Sequence, residues 1–251
     1  MAINLKSLSK PDGSRPIIAT LFGEGGMGKT TLAAMFPKPV FIRTEDGTAS
    51  LVGNDGVSLF PLATSSQDVL DAIEALATEK HEFKTLVIDS ITQLATLIES
   101  EIVASDPKAK SINQAGGGYG AGYSTAAEKH RQIREWAGSL AYERGMNVIF
   151  IGHADTETMD LPDMDAFARY TVRMHKKSIP HYTDNCDLVG LIRLKTFVRG
   201  GDGDKKRAIS TGEREIICFP QASSVTKNRF NITEPLPFTF DGNPFSKFLA
   251  E

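Results

Sequence analysis

One stretch constrains the fold of this chain more than any other: residues 21–36, LFGEGGMGKTTLAAMF. It places four glycines, one lysine and two threonines between two apolar runs. The preceding run, IIATLF, is rich in β-branched residues and predicts a short buried strand, whereas KTTLAAMF has helical spacing and ends before Pro37. Residues 23–30 fit the pattern G-x-x-x-x-G-K-T without a mismatch, between a strand and a helix as that pattern requires.

A glycine-rich loop of this kind is suited to hold an anion. Glycines allow the loop to turn so that consecutive backbone N–H groups point inward, and the following helix adds its positive amino-terminal end. In such a P-loop the lysine, here Lys29, reaches the β- and γ-phosphates, and the threonine hydroxyl, here of Thr30, ligates Mg²⁺. We therefore predict ATP and Mg²⁺ as cofactors; a glycine-rich surface turn is the alternative. The predicted nucleotide-binding residues are Gly23, Glu24, Gly25, Gly26, Met27, Gly28, Lys29, Thr30 and Thr31.

Strands and helices alternate up to residue 152. The predicted strands are 17–22, 40–44, 57–62, 85–89 and 147–152, and further helices are predicted over 66–80, 90–104 and about 125–144. This alternation predicts an α/β fold with a mostly parallel sheet flanked by helices. Two later strand-like runs, DLVGLIRLKTFV and KRAISTGEREIICF, surround an RGGDGD turn and predict a C-terminal antiparallel hairpin. We expect a short lead-in over 1–16 and one domain over 17–251.

Composition limits the classes of partner and the compartment. The formal net charge is −3 and the pI is near 6.0, so a polyanion such as DNA would have to bind to a local basic patch. No stretch approaches the roughly 20 apolar residues of a membrane span, and the first residues lack the apolar run of a signal peptide. Cys186 and Cys218 have no metal-type spacing and are expected to be free thiols. These features predict a cytoplasmic protein without a membrane partner.

A carboxylate on the metal side of the site is expected at the end of another strand. The run TLVIDS supplies Asp89 at the carboxyl end of the predicted strand 85–89, where it can hold Mg²⁺ directly or through water. An aspartate that only caps the next helix is the alternative.

The residue after that aspartate is Ser90, so the base that activates water must come from elsewhere in the chain. Glu45 and Asp46 follow the second predicted strand, on the same edge of the sheet as the P-loop. This arrangement resembles the bacterial RecA family, in which the second strand ends in a catalytic glutamate and the metal-side aspartate is followed by serine. The resemblance implies that Glu45 is the general base; a solvated loop carboxylate is the alternative.

Two further elements extend the resemblance. The run NVIFIGH ends in His153, where RecA-like proteins place a polar residue that senses the γ-phosphate. The run VTKNRF is similar to the basic motif with which RecA and the DnaB- and RadA-like ATPases reach the ATP of a neighbouring subunit. By that likeness, Lys227 and Arg229 would neutralise transition-state charge in trans. A histidine at a strand end and a basic surface turn are the alternatives.

The resemblance covers roughly residues 17–240 and is closest to the phage-encoded RecA-like ATPases that act as single-strand annealing recombinases. It implies a homo-oligomer, ring or filament, in the cytoplasm of the host cell, with a single-strand DNA-binding protein as a further candidate partner. The given sequence differs from the RecA pattern: we expect residues 1–16 to be too short for its polymerisation arm, and no part of residues 17–251 is expected to form its C-terminal domain.

Two segments stand where RecA-like recombinases have mobile DNA-binding loops. The first, NQAGGGYGAGYS (113–124), combines glycines with two tyrosines whose faces can stack on bases. The second is the polar segment after His153, about 153–168, which leads to the basic run RYTVRMHKK. Solvated surface segments are the alternative for both. The predicted DNA-binding residues are Tyr119, Tyr123, Arg169, Arg173, Lys176 and Lys177.

The leading hypothesis is therefore a DNA-stimulated, Mg²⁺-dependent ATPase that binds single-stranded DNA as an oligomer and promotes annealing or strand exchange. One alternative is an annealing or scaffold protein in which ATP switches the conformation with little turnover. Another is a partitioning ATPase of the ParA type, although that group carries a lysine near the start of its P-loop, where this chain has Glu24.

Overall fold

The computed structural model describes residues 15–199 and 207–249. The predicted lead-in over 1–16 therefore lies outside the described residues except for its last two, and the RGGDGD turn lies outside them except for its first.

The strands form a ten-stranded sheet with a parallel centre. In chain order they are β1 (Ile18–Gly23), β2 (Pro39–Arg43), β3 (Ser58–Leu62), β4 (Thr85–Asp89), β5 (Asn147–Met159), β6 (Phe167–Val172), β7 (Leu188–Arg199), β8 (Arg207–Ile217), β9 (Lys227–Asn228) and β10 (Leu236–Phe238). Parallel pairing runs through β3, β2, β4, β5, β1 and β7 in that spatial order. The antiparallel strands β8 and β10 extend the sheet beyond β7, and β9 also pairs with β7.

Helices cover both faces of this sheet. They are α1 (Lys29–Ala34), α2 (Ser66–Thr78), α3 (Ile91–Ser105), α4 (Ala121–Glu143) and α5 (Ile179–Thr183), with 3-10 turns at Thr48–Leu51, Ala115–Gly117 and Ser246–Phe248. Ser65 and Ser90 cap α2 and α3, because each side chain accepts a hydrogen bond from a backbone N–H in the first turn. Serine after Asp89 thus starts α3, and Asp89 itself is not the cap.

The central strands are buried on both faces, which explains their unbroken apolar runs. In β4, Leu86 and Ile88 pack with α2, α3 and α4, whereas Val87 packs with α1 on the opposite face. In β5, Phe150 packs on the face covered by α2, α3 and α4, whereas Ile149 packs on the face covered by α1. The predicted α/β class, with a mostly parallel sheet and a C-terminal antiparallel hairpin, is confirmed.

The prediction for residues 153–168 is wrong in part. The strand predicted to end at residue 152 continues to Met159 and pairs antiparallel with β6, from Ala154 opposite Val172 to Met159 opposite Phe167. This two-stranded ribbon projects beyond the parallel core, and many of its side chains are at least partly exposed, so its sequence carries no apolar signal of a strand. The glycine-rich loop is also shorter than predicted, because α4 begins at Ala121.

Within the described residues, no helix combines the length and the apolar character needed to cross a lipid bilayer.

The central strand β5 should be the part of the fold most sensitive to truncation. Phe150 is fully buried and its ring contacts that of Tyr182 at a centroid distance of 5.0 Å. Phe150→Ala should lower the free energy of unfolding by about 3–5 kcal/mol, because it removes a large core side chain and leaves a cavity. Phe197→Ala is the matched control, since that ring is 51% exposed, and it should change stability by less than about 0.5 kcal/mol. Urea unfolding followed by circular dichroism would measure both; equal effects would contradict the assigned core.

Candidate active site

The loop after β1 has the backbone conformation that its glycines permit. Gly26 and Gly28 have φ of +76° and +88°, in the left-handed region that disfavours residues with a Cβ. At Gly28 a Cβ would also lie 2.5 Å from the ring of Phe240. Glycine at this position is therefore required both by the turn and by the aromatic side chain packed against it.

The Lys29 side chain forms hydrogen bonds with the backbone of this loop. Its Nζ donates hydrogen bonds to the carbonyl oxygens of Gly23, at 3.0 Å, and Glu24, at 2.8 Å. Burial lowers the pKa of the Lys29 ammonium, and the nearby carboxylates of Asp89 and Glu45 oppose this shift. The lysine is thus a partly desolvated cation at the point where the phosphates of a nucleotide would lie.

Thr30 and Asp89 meet beside it. The Thr30 hydroxyl donates a hydrogen bond of 2.7 Å to Asp89 Oδ2, and Asp89 is only 6% exposed. Burial raises the pKa of Asp89, and the Thr30 hydrogen bond and the charge of Lys29 act in the opposite direction.

This pair of oxygens fits Mg²⁺, a hard cation that prefers hydroxyl and carboxylate donors. No cluster of three or more His, Cys, Asp or Glu side chains suited to a metal occurs in the described part of the chain. An ion held by Thr30 and Asp89 would therefore take its other ligands from phosphates and water, as Mg²⁺ commonly does at nucleotide sites.

Glu45 and His153 form a second pair at the same edge of the sheet. His153 Nε2 lies 3.2 Å from Glu45 Oε1, and His153 stands opposite Gly23 in the pairing of β5 with β1. The hydrogen bond with His153 is the largest cause that lowers the pKa of Glu45. The Asp46 side chain, in contrast, is 81% exposed and its Oδ1 lies 3.9 Å from Arg43 Nη1. Of the two neighbouring carboxylates, the structure brings Glu45 to the site.

Thr44 and Thr92 hold these groups in place, and the sequence did not single them out. The Thr44 hydroxyl accepts a hydrogen bond from the Ser90 N–H, at 2.9 Å, and donates one to the Ser90 carbonyl, at 2.8 Å. The Thr92 hydroxyl accepts a hydrogen bond from the His153 N–H at 2.9 Å. These bonds link the chain after β2 to the chain after β4, and the start of α3 to His153 in β5. Isolated threonines give no recognisable pattern in a sequence.

Lys227 and Arg229 lie at the opposite edge of the sheet. Lys227 stands beside Val189, which pairs with Thr20, three residues before the P-loop and hence about 10 Å from it along the strand. Arg229 Nη1 lies 3.2 Å from Asp187 Oδ1, a buried carboxylate that also binds Arg15. The structure thus does not bring this basic pair to the P-loop of its own chain.

The glycine-rich segment and the end of the basic run RYTVRMHKK, both predicted to bind DNA, contact each other. The rings of Tyr123 and His175 stack at a centroid distance of 3.8 Å, and Lys177 Nζ donates a hydrogen bond of 2.8 Å to the Ser124 hydroxyl. Tyr119 is fully exposed in the glycine-rich loop. One surface therefore combines tyrosine faces with cations.

The remaining predicted DNA contacts differ from one another. Lys176 is exposed. Arg169 forms an ion pair with Glu157 across the β5–β6 ribbon, with its Nη2 2.6 Å from Glu157 Oε1. Arg173 is directed to the carbonyl oxygen of Ala154, at 3.0 Å, and so to the side of the P-loop.

A cavity of about 650 Å³ next to the P-loop was missed from the sequence. Phe238 and Phe240 line it and both pack against Gly28, and the Arg214 guanidinium lies 4.8 Å from the Phe240 ring centre. Phe240 is 38% exposed and adopts a φ of +67°, which is unusual for a bulky residue. Such an aromatic wall could stack on the base of a nucleotide. Phe238 ends β10 and Phe240 lies two residues beyond it, so the spacing F-x-F alone does not predict that both rings reach the P-loop.

The hydrogen bond between His153 and Glu45 can be tested directly. In His153→Ala the pKa of Glu45 should rise, because the largest cause that lowers it is removed. The mutant carboxylate should therefore take up its proton at a higher pH than the wild type, as measured by NMR titration of ¹³C-labelled glutamate side chains. Glu82, whose pKa is lowered by Lys38, is an internal control and should titrate unchanged. An unshifted Glu45 would contradict this hydrogen bond.

A comparison with models of protein families agrees with a nucleotide-binding site at this position. No protein of known function matches the chain in a sequence comparison. The model of the AAA_24 family, described as an AAA domain, matches residues 15–230, which include the P-loop, Glu45, Asp89 and His153. The chain therefore belongs to the AAA domain family and is an ATPase of the P-loop class.

Proposed function

We propose that the chain is a Mg²⁺-dependent ATPase that binds single-stranded DNA as an oligomer and promotes annealing or strand exchange. One observation carries the catalytic part of this proposal. The Thr30–Asp89 pair and the Glu45–His153 pair both lie near Lys29, at one edge of the parallel sheet. A phosphate-binding cation, a metal-binding pair and a base oriented by a second group are what phosphoryl transfer to water requires.

Each residue then has a separate role. Lys29 and the N–H groups of residues 23–31 bind and orient the phosphates of ATP. Thr30 and Asp89 would hold Mg²⁺, which would offset the negative charge of the phosphates. The Glu45 carboxylate, oriented by its hydrogen bond with His153, accepts the proton of the attacking water. Phe240 offers its exposed ring to the nucleobase.

Lys227 and Arg229 are proposed to act on the nucleotide of a neighbouring copy. Their position at the other edge of the sheet separates them from the P-loop of their own chain. The Arg229 side chain is 56% exposed and can meet a second protomer. A cation supplied in this way would stabilise the charge of the transition state.

Single-stranded DNA is proposed to lie on the surface that contains Tyr119, Tyr123, His175, Lys176 and Lys177. Aromatic faces next to cations suit a strand bound without base-specific contacts. Because the net charge of the chain is −3, such binding would depend on local phosphate contacts and weaken with salt. A single-strand DNA-binding protein remains a candidate partner that delivers this strand.

ATP turnover measured with and without single-stranded DNA tests the proposal. Lys29→Ala should abolish turnover, because it removes the cation that binds the phosphates. Glu45→Gln should retain nucleotide binding but lose about 10²–10⁴-fold in turnover, the usual contribution of a general base. Asp46→Asn is the matched control and should behave like the wild type, since the Asp46 side chain is 81% exposed and the contact with His153 is made by Glu45.

The outcomes separate the alternatives. Stimulation by DNA supports the recombination role, whereas slow turnover that DNA does not change would favour the ATP-switched annealing or scaffold protein. Normal turnover in Lys29→Ala would refute the P-loop assignment. A slow Asp46→Asn with a normal Glu45→Gln would mean that the base is Asp46.

Mixing two inactive variants tests the intersubunit role. Arg229→Ala should bind nucleotide nearly normally yet hydrolyse it poorly, while Glu45→Gln keeps the basic pair but lacks the base. Co-assembled from dissociated protein, the two should recover part of the wild-type turnover, because some interfaces combine an intact base with an intact arginine. Light scattering would verify co-assembly. A flat, inactive mixing curve despite co-assembly would rule out a site shared between subunits.

A further inference from the structure

Arg173 was predicted to bind DNA together with three other cations, but its contacts place it closer to the P-loop. It directly follows β6, and its backbone N–H donates a hydrogen bond of 2.8 Å to the His153 carbonyl oxygen. Its side chain turns back, so that Nη2 donates a hydrogen bond of 3.0 Å to the carbonyl oxygen of Ala154. Main chain and guanidinium are thus both anchored on the same two residues of β5.

Those two residues lie beside the P-loop. His153 stands opposite Gly23, the first residue of the loop, and its ring is bonded to Glu45. Consistent with this position, the charge of Arg173 acts on Lys29: burial is the main cause that lowers the Lys29 pKa, and the Arg173 guanidinium shifts it in the same direction.

Two cations therefore face one edge of the sheet. Like charges repel, and an anion between or beside them would relieve this repulsion. Arg173 is exposed, and within residues 15–199 and 207–249 its side chain forms one hydrogen bond, although a guanidinium carries five N–H donors. A triphosphate would meet this second cation on the side of His153 and Glu45, where its terminal phosphate must lie if Glu45 activates the attacking water.

On the basis of the ATPase function proposed above, we propose that Arg173 contacts the γ-phosphate of the nucleotide bound by its own chain. It would act in cis, beside the base, and so differ from Lys227 and Arg229, which are proposed to act in trans. This contact would make the site specific for nucleoside triphosphates. Its affinity would depend on the third phosphate, because a diphosphate does not extend to this side of the loop.

Binding of a non-hydrolysable ATP analogue (AMP-PNP) and of ADP, measured by calorimetry with Mg²⁺, tests this proposal. Arg173→Ala should lose about 10-fold or more in affinity for AMP-PNP, as expected for a charge-assisted contact with phosphate, and stay within about twofold for ADP. Arg173→Gln should lose AMP-PNP affinity in the same way, because it keeps a polar side chain but carries no charge. Arg173→Lys should fall between the wild type and the alanine variant.

Arg144→Ala is the matched control. Arg144 also donates from Nη2 to a backbone carbonyl oxygen, that of Glu79, but it follows α4 near the start of β5, at the far edge of the sheet. Both nucleotide affinities should be unchanged in this variant.

The remaining outcomes contradict the proposal in distinguishable ways. If Arg173→Ala leaves the ratio of the two affinities unchanged and weakens only binding of single-stranded DNA, Arg173 belongs to the DNA surface. If it weakens AMP-PNP and ADP equally, the residue supports the fold of the site and does not sense the third phosphate. If the wild type binds neither nucleotide, or Lys29→Ala binds both normally, the ATPase function fails and the inference fails with it.

Discussion

The site depends on the parallel register of β1, β5 and β4. Gly23 of β1 pairs with His153 of β5. Asp89 of β4 pairs with Ile151, which precedes His153 by two residues in β5. Parallel strands end at the same edge of a sheet, so this register delivers the P-loop, Asp89 and His153 to one place. A shift of one residue in β5 would turn His153 away from Glu45 and move Phe150 to the opposite face of the sheet, which is packed around the smaller Ile149. The different packing of the two faces therefore enforces the register.

The charges at that edge are held in a partly desolvated cluster. Burial lowers the pKa of Lys29 and raises the pKa of Asp89, and each of the two charges acts against the shift of the other. Glu45 is more exposed, and its hydrogen bond with His153 lowers its pKa. The three groups thus differ in environment, which suits them to the separate proposed roles of phosphate cation, metal ligand and base.

The two edges of the sheet are separate chemically as well as spatially. At the amino edge the buried Asp187 binds Arg229 and Arg15 and accepts a hydrogen bond from the Ile18 N–H at 3.0 Å, so it links the basic motif to the start of β1. At the carboxyl edge the short segment 173–177 contacts β5 beside the P-loop at one end and the residues of the candidate DNA surface at the other.

The sequence by itself determined the α/β class, the strand–loop–helix at residues 17–36 and the placement of Asp89, Glu45 and His153 at the end of apolar runs, because these features are local: apolar period, glycine spacing and the residue that follows an apolar run. The tertiary structure alone decided which of these groups meet. It brought Glu45 and not Asp46 to His153, separated Lys227 and Arg229 from the P-loop, turned a predicted polar loop into the β5–β6 ribbon and packed Phe240 on Gly28. Each of these outcomes depends on pairing between residues distant in the chain, and a sequence specifies such pairing only through the packing of the whole sheet.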